Sequence, residues 1–468
     1  MNLLNRKNPE ESAKKKLDFQ TTRAERLVYP LYGMGQNLLL NFVTGYIMLY
    51  YTDVLIIPTA AISALMLSTR IWDAVNDPLF GYVVDKVKFK SGNKFMPWLK
   101  ASSLMIPVAT LLLFVIPSTL SLPVKITLAF VTYLFWDLAF TISDVPLLST
   151  LTALTGNANE RTTIIGYNGI VGIPGSIILS VLLVPRLESW GFPTVAAIIC
   201  ACALACLIWL PRIGKERNRE NITAAPDMSF GELLRYLKEN KYLQNFFFLS
   251  ITYGSLSIPF TNYILIQVYG GLEPIAVFTL IGLPLTLVIF VLMPILIRQV
   301  EKVKVFRMCY FGIIICGLLS FLFARDSIVV YGVFWILRSM FLLSAVMLLL
   351  TFATDYVEYG HYKSGTRREG ITFALQTFST KFMAAISGAL GALILGWIGY
   401  DGALEVQAAA TVDLIWTTGH LVGATGLILA IPLVFRCNLW SKDAQIMADV
   451  NAGKMTREEG DSLLSRKY

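Results

Sequence analysis

Long apolar segments make up most of this 468-residue chain, and only short polar stretches interrupt them. A helix needs about 20 mainly apolar residues to cross a bilayer. The pattern predicts twelve such helices, at 28–51, 58–84, 97–117, 124–154, 163–184, 191–210, 243–270, 274–297, 304–323, 327–356, 370–398 and 411–436. Only 15% of the residues are charged, against about 25% in soluble domains. We therefore expect an all-α membrane protein, which excludes a disordered chain, a disulfide scaffold and a DNA-binding domain.

The basic residues indicate the orientation of these helices. Of the 39 Lys and Arg, 33 fall in the two tails, in alternate connections or at the adjoining helix ends, all on one side of the twelve-helix map. The other side holds only Lys125, Arg186 and Arg325. By the positive-inside rule, the tails 1–27 and 437–468 are expected to be cytoplasmic, in a multi-pass protein of the cytoplasmic membrane. The net charge of +8 then reflects topology and contact with membrane lipid headgroups, and no nucleic acid is expected as a partner.

Neither the N-terminus nor the cysteines indicate a special function. Residues 1–27 lack the apolar core of a signal peptide. The six cysteines have no metal-ligand spacing and are expected to be free thiols.

The longest polar interruption, 211–241, follows the sixth predicted helix. As a cytoplasmic central loop it would divide the chain into two six-helix halves, 28–210 and 242–436. This is the layout of major facilitator transporters, whose halves rock around a site near the bilayer midplane. Within the loop, the segment that begins at Asp227 predicts either a short amphipathic helix on the cytoplasmic surface or a plain linker.

Charged side chains at membrane depth are costly and indicate function. The second predicted helix carries Asp73, Asn76 and Asp77, whose spacing places them on one helix face. Two carboxylates and an amide suit a monovalent metal cation such as Na+, and repulsion between the carboxylates lets a proton substitute. Pro78 can bend the helix there and free a carbonyl. The alternative is that Arg70 neutralises Asp73 in a structural ion pair.

The fourth predicted helix presents Asp137, Thr141 and Asp144 on one face. A carboxylate can accept two sugar hydroxyl hydrogens at once, so Asp137 and Asp144 are candidate sugar ligands. Thr141 alone would be expected to bond back to its own helix. Between two buried acids, it is expected to line the same polar cavity.

Lys381 in the eleventh predicted helix supplies a counter-charge from the second half. It is expected to face the cavity, with Gln376 and Thr377 as further substrate ligands, although a lysine can also snorkel to the interface. Gln36 and Asn37 in the first helix suit sugar hydroxyls, or else hold helices together.

Three runs of residues carry a resemblance to a known family. They are Tyr32-Gly-x-Gly35 with Tyr50-Tyr51-Thr52-Asp53, then Arg70-Ile-Trp-Asp73-Ala-x-Asn76-Asp77-Pro78-x-x-Gly81, and Asp355-x-x-Glu358-Tyr359-Gly360-x-Tyr362-Lys363-x-Gly365-x-Arg367-x-Glu369-Gly370. Over about 27–436 the chain resembles the glycoside–pentoside–hexuronide:cation symporters, a melibiose permease-like family of the major facilitator superfamily. The resemblance implies a sugar symporter driven by Na+ or H+, with no other cofactor.

The resemblance also implies roles for single residues. Its cation site is matched by Asp73, Asn76, Asp77 and Thr141, and its sugar-binding aspartate and lysine are matched by Asp144 and Lys381. It implies that the charged motif at 355–370, a loop between the tenth and eleventh helices, acts as a cytoplasmic gate. The expected gate residues are Asp85, Asp355, Glu358, Lys363 and Arg367.

The sugar half of the site departs from the melibiose permease pattern. Gln36-Asn37 replaces a Lys-Asp pair, Asn168 lies where an arginine is expected, and Leu148 replaces a tryptophan. Asp137 has no carboxylate counterpart. A galactoside is therefore not expected, and another glycoside, a pentoside or a sugar alcohol fits as well. The loss of two cationic side chains argues against a hexuronide.

Two other functions are compatible with parts of the pattern. A transporter of lipid or another amphiphile would share the fold. A magnesium-dependent membrane prenyltransferase would use Asp-rich motifs, but it would need a second one in the other half. We expect a transporter and no enzyme activity. Arg338 in the tenth helix has no assigned role.

Overall fold

The computed structural model describes residues 20–87, 89–155, 158–217, 230–254, 260–365, 369–404 and 406–466. All regular structure in these ranges is helical. The described chain forms α1 (Arg23–Leu49), α2 (Thr59–Lys86), α3 (Met96–Phe114), α4 (Leu122–Leu154), α5 (Ala158–Ile177), α6 (Leu187–Trp190), α7 (Phe192–Leu207), α8 (Leu210–Ile213), α9 (Phe230–Glu239), α10 (Lys241–Gly254), α11 (Phe260–Tyr269), α12 (Pro274–Gln299), α13 (Lys302–Phe323), α14 (Ile328–Ser364), α15 (Glu369–Trp397), α16 (Ala409–Arg436), α17 (Ser441–Asn451) and α18 (Arg457–Leu463).

Each of the twelve predicted segments is mainly helical where the structure describes it, although residues such as 115–117 and 208–209 lie outside the helices. The seventh contains α10 and α11, on either side of 255–259, which lie outside the described residues. In the described ranges, seven helical stretches are long and apolar enough to cross a membrane. The predicted all-α membrane protein is confirmed, and the count of twelve spans stays a prediction.

Several helix ends differ from the prediction, and for two of them the structure shows the physical reason. Helix α1 begins at Arg23, ahead of residue 28, because Thr22 and Glu25 form a capping box: the Glu25 amide donates to Thr22 Oγ1 (3.2 Å) and the Thr22 amide donates to Glu25 Oε2 (2.8 Å). Helix α14 continues to Ser364, where Gly365 with φ of 71° ends it. The prediction that 355–370 forms a loop is therefore wrong. Its residues up to Ser364 extend the helix past the apolar segment, where hydropathy gives no signal.

Two other features are resolved directly. Helix α9 confirms the amphipathic helix over Phe230–Glu239, whereas 227–229 lie outside the described residues. All six cysteines are free, as expected.

The helices form an N-terminal part (20–217) and a C-terminal part (230–466). In the first, α1 packs against α5 and α7, and α4 packs against α2 and α3. In the second, α13 packs against α14 and α16, while α10 packs against α15 and α16. The parts meet where α2 lies along α15, and where α5 and the wide helical turn at Ile178–Leu183 pack against α12.

The two parts are in close contact at one end of the bundle, where α1 ends, α2 begins and α15 ends. We call this the far end, because residues 20 and 466, the first and last that the structure describes, lie at the other. Ser63 Oγ donates to Ala389 O (3.0 Å) and Asn262 Nδ2 donates to Gly45 O (2.7 Å). A Cβ at Gly402 would overlap the Thr52 carbonyl. One apolar core continues through both parts here.

Candidate functional site

Polar side chains from α2 and α4 meet inside the N-terminal part. Asn76 Nδ2 donates to Thr141 Oγ1 at 3.1 Å, and these side chains are only 7% and 3% exposed. Elsewhere on α4, Ser143 Oγ lies 2.7 Å from the Tyr32 hydroxyl, which also lies 2.9 Å from Ser102 Oγ. The structure thus brings together two of the four predicted cation ligands, and both are buried.

Two predicted sugar ligands also contact each other. Gln36 Nε2 on α1 donates to Asp144 Oδ1 on α4 at 3.4 Å. Gln36 is buried and Asp144 is half-buried. Asp137, two turns earlier on α4, is buried. Asn37 Nδ2 donates to Gly33 O of its own helix at 2.9 Å, and its side chain reaches a cavity.

This cavity of 390 Å³ lies between α1, α5 with its following turn, and α12, so both parts of the chain line it. Its volume falls in the range of small-molecule sites. Besides Asn37, the polar lining comes from Asn41, Ser176, Ser180 and Thr286. These four residues were not predicted from the sequence. The four-residue spacing of Asn37 and Asn41, and of Ser176 and Ser180, places each pair on one helix face and could have indicated a polar lining.

Seven predicted site residues, and Arg70, have side chains outside the part of the structure that is described. They are Asp73, Asp77, Asp85, Arg367, Gln376, Thr377 and Lys381.

Two of the described gate residues, Asp355 and Glu358, bind side chains from outside the 355–370 motif. Lys302 at the start of α13 forms an ion pair with Asp355. Asn451 Nδ2 on α17 donates to Glu358 Oε2 at 2.9 Å and to Glu358 O at 3.0 Å. Lys363 is exposed. Sequence reasoning missed both Lys302 and Asn451, because neither lies within 40 residues of its partner.

A buried carboxylate also joins elements at the end where the termini lie. Glu160 accepts hydrogen bonds from the Thr21 amide (2.9 Å), the Gln20 amide (3.1 Å) and Thr155 Oγ1 (2.6 Å). Burial alone would raise the pKa of Glu160, but the hydrogen bonds from Thr155, Thr21 and Gln20 outweigh it and hold the pKa below its ordinary value. The ionised carboxylate therefore ties the segment before α1 to the start of α5.

A family model described as MFS/sugar transport protein matches residues 28–440. The chain belongs to this family. Membership confirms the predicted transporter and excludes the prenyltransferase alternative. The isoprimeverose transporter of Lactiplantibacillus pentosus is 26% identical over 438 residues, which cover 88% of each chain. The glucuronide carrier protein homolog of Escherichia coli is 27% identical over 450 residues, 92% of this chain and 96% of the relative.

Solved structures agree on the fold. The crystal structure of the nucleoside transporter NupG matches with a TM-score of 0.63 at 14% sequence identity. The match covers 88% of this chain and 99% of that one. At this identity the likeness shows the fold alone, and it is the major facilitator fold of the MFS/sugar transport family.

Proposed function

We propose that this chain is a symporter that moves a glycoside, a pentoside or a related sugar or sugar alcohol together with Na+ or H+. The observation that carries the proposal is the pair of contacts along α4, where Thr141 meets Asn76 and Asp144 meets Gln36. Thr141 and Asp144 are three residues apart, a rise of about 4.5 Å. A cation ligand and a sugar ligand on one helical turn allow each bound solute to affect the other directly.

The cation would bind at α2 and α4. Because Asn76 donates through its amide nitrogen, its amide oxygen can face a cation, and Thr141 Oγ1 is the neighbouring oxygen. We assign Asp73 and Asp77 to the same site, because their spacing places them on the helix face of Asn76. Four oxygen donors, two of them carboxylates, suit Na+, and a protonated carboxylate would serve for H+ coupling.

The sugar would bind beside this site, between the two parts of the chain. Asp144 and Gln36 provide a carboxylate and an amide, and the 390 Å³ cavity adds the amides and hydroxyls of α1, α5 and α12. From the resemblance we assign Lys381 to the same site, and we add Gln376 and Thr377 from their place on the same helix, with Asp137 as a further acid. The relatives' printed names, an isoprimeverose transporter and a glucuronide carrier homolog, support a sugar as the solute.

Transport would proceed by alternating access of two halves, 28–210 and 242–436, in the cytoplasmic membrane. The distribution of Lys and Arg supports cytoplasmic tails and a cytoplasmic central loop, 211–241. The far end then faces outward and is closed. The gate, Asp85, Asp355, Glu358, Lys363 and Arg367, would lie on the cytoplasmic side and exchange partners as the halves move.

The test is sugar uptake into liposomes that contain the purified full-length protein, with an imposed Na+ or H+ gradient and a panel of glycosides, pentosides and sugar alcohols. Thr141→Val keeps the side-chain shape but removes the oxygen. It should raise the cation concentration for half-maximal uptake about tenfold, the equivalent of one hydrogen bond of about 1.4 kcal/mol. The matched control is Thr132→Val on the same helix, whose hydroxyl donates to Leu128 O at 2.7 Å.

Three results would contradict the proposal. If no sugar in the panel responds to either gradient, the chain is not a sugar symporter. If Thr132→Val and Thr141→Val change the cation dependence of uptake equally, Thr141 is not a cation ligand. If Asp77→Cys retains cation-driven sugar accumulation, Asp77 is not a cation ligand.

A further inference from the structure

A second cavity, of 220 Å³, lies within the C-terminal part among α11, α13, α14 and α16. Its polar lining includes Arg338, Ser339, Ser320 and His420. Among the described residues of the lining, Arg338 is the one that carries a formal charge. The proposed cation and sugar sites do not use this cavity.

Arg338 lies deep in the bundle. It is ten residues from Ile328, where α14 begins at the far end, which places it about 15 Å along the helix at 1.5 Å per residue. That is about half of a ~30 Å hydrocarbon core. A charge at this depth is costly and indicates a functional site. The planar guanidinium also matches a carboxylate with two parallel hydrogen bonds, which an ammonium cannot do.

The polar wall beside Arg338 is fixed by hydrogen bonds. His420 Nδ1 lies 2.9 Å from Trp416 O, and because a carbonyl only accepts, Nδ1 carries the hydrogen. His420 Nε2 lies 3.1 Å from Ser320 Oγ. The imidazole also packs on the Trp416 ring, with the centroids 4.2 Å apart. The wall is thus ordered before any ligand arrives, which lowers the entropy cost of binding.

Aromatic rings lie on the same face of α14 as the guanidinium. Tyr331, Trp335 and Arg338 are spaced i, i+4 and i+7, and all three line the cavity. Flat apolar rings next to a few placed polar groups are the usual lining of a small-molecule site. They suit the C–H face of a sugar ring, while the guanidinium suits a negative substituent on that ring.

We propose that this cavity binds a carboxylate-bearing sugar, with Arg338 as the ligand of the carboxylate. The inference rests on the proposed sugar transport and adds to it a second binding site, for acidic sugars, within the C-terminal part of the chain. Two cationic side chains are missing from the first and fifth helices, and their loss alone argues against a hexuronide. Arg338 supplies a cation from the other part of the chain, at a position with no role predicted from the sequence.

The test is ligand binding to the purified full-length protein by calorimetry, with D-glucuronate, D-glucose and acetate at one ionic strength. The protein should bind glucuronate at least tenfold more tightly than glucose or acetate. Arg338→Gln should weaken glucuronate binding at least tenfold and leave glucose binding unchanged. Arg338→Lys, which keeps the charge and loses the paired donors, should weaken it by a smaller factor and shows the effect even if the glutamine variant fails to fold.

The matched control is Arg325→Gln, because Arg325 is exposed and pairs with Asp413 outside the cavity. Equal binding of glucuronate and glucose would overturn the proposal, as would equal losses in the Arg338 and Arg325 variants. Acetate binding as tight as glucuronate binding would also overturn it, by showing a simple anion site. If the proposed transport fails but this site is correct, no gradient drives sugar uptake while glucuronate binding still depends on Arg338. If only this site fails, gradient-driven uptake of neutral sugars persists.

Discussion

Tyr400→Phe should open the far end of the bundle. The Tyr400 hydroxyl, which follows α15, lies 2.9 Å from each carboxylate oxygen of Asp53, which follows α1. Thr52 Oγ1 donates to Asp53 at 2.6 Å and accepts from the Tyr263 hydroxyl at 2.9 Å. Two residues from each part of the protein therefore belong to one hydrogen-bonded network. We call this network, formed by Thr52, Asp53, Tyr263 and Tyr400, the far-end latch. It exists only while the parts are in contact.

The structure sets the size of the effect. A hydrogen bond to a charged group contributes about 1.5–3 kcal/mol, and about 1.4 kcal/mol corresponds to a factor of ten. Tyr400→Phe keeps the edge-to-face packing of this ring on Tyr263, with the centroids 5.1 Å apart, so the loss is confined to the hydroxyl. The equilibrium constant for opening the far end should rise about 10- to 100-fold.

The assay is pulsed electron spin resonance between spin labels at Ser118 and Asp326. Both are exposed, and they lie in far-end connections of the N-terminal and C-terminal parts. The population at longer distance should grow in Tyr400→Phe. Tyr269→Phe is the matched control, because it removes a hydroxyl that donates to Ala324 O at 2.8 Å within the C-terminal part. An unchanged distance distribution, or the same change in Tyr269→Phe, would refute the latch.

Two further predictions concern the opposite end. Glu160→Gln should lower the free energy of unfolding at pH 7 by about 1–3 kcal/mol. The pKa of Glu160 is lowered in the folded state, so its carboxylate stabilises the fold above the ordinary carboxyl pKa and loses this effect as pH falls through the folded-state pKa. Thermal unfolding should therefore show a smaller stability difference between the wild type and Glu160→Gln at pH 4 than at pH 7. The same difference at both pH values would contradict this. Asn451→Ala should increase amide hydrogen exchange in α17 about tenfold, because it removes both hydrogen bonds from α17 to Glu358 on α14. The control Gln445→Ala removes only a bond within α17 and should leave the exchange unchanged. Equal effects of the two variants would show that Asn451 does not hold α17 against α14.

The fold was largely predictable because apolar length and charge asymmetry are properties of single segments. The ends of helices were less so. The Thr22-x-x-Glu25 capping box is visible in the sequence, but the apolar pattern begins only later, at 28. The end of α14 gave no such signal, because it leaves the apolar segment as a polar helix and stops at Gly365.

The site was predictable one helix at a time. Spacing places Asn76 and Thr141 on definite faces, and the resemblance supplies the expectation that these faces meet. Nothing in a local pattern predicts that Glu358 binds Asn451 or that Asp355 pairs with Lys302. Four helices form the wall of the Arg338 cavity, so the sequence of α14 alone could not predict that Arg338 lines a cavity.

Helix α1 connects the proposed sugar site to the latch. Gln36 contacts Asp144 within the bundle, and Asp53 contacts Tyr400 at the far end, 17 residues along the chain. At about 1.5 Å per residue that is a span of about 25 Å, nearly the thickness of the hydrocarbon core. The wide helical turn Tyr50–Val54 continues the backbone of α1 to Asp53. We expect a shift of Gln36 toward a bound sugar to pass along this backbone and to move Asp53 relative to Tyr400. Sugar binding and release of the latch are then steps of one motion, and weakening the latch should alter sugar affinity even though Tyr400 touches no sugar ligand.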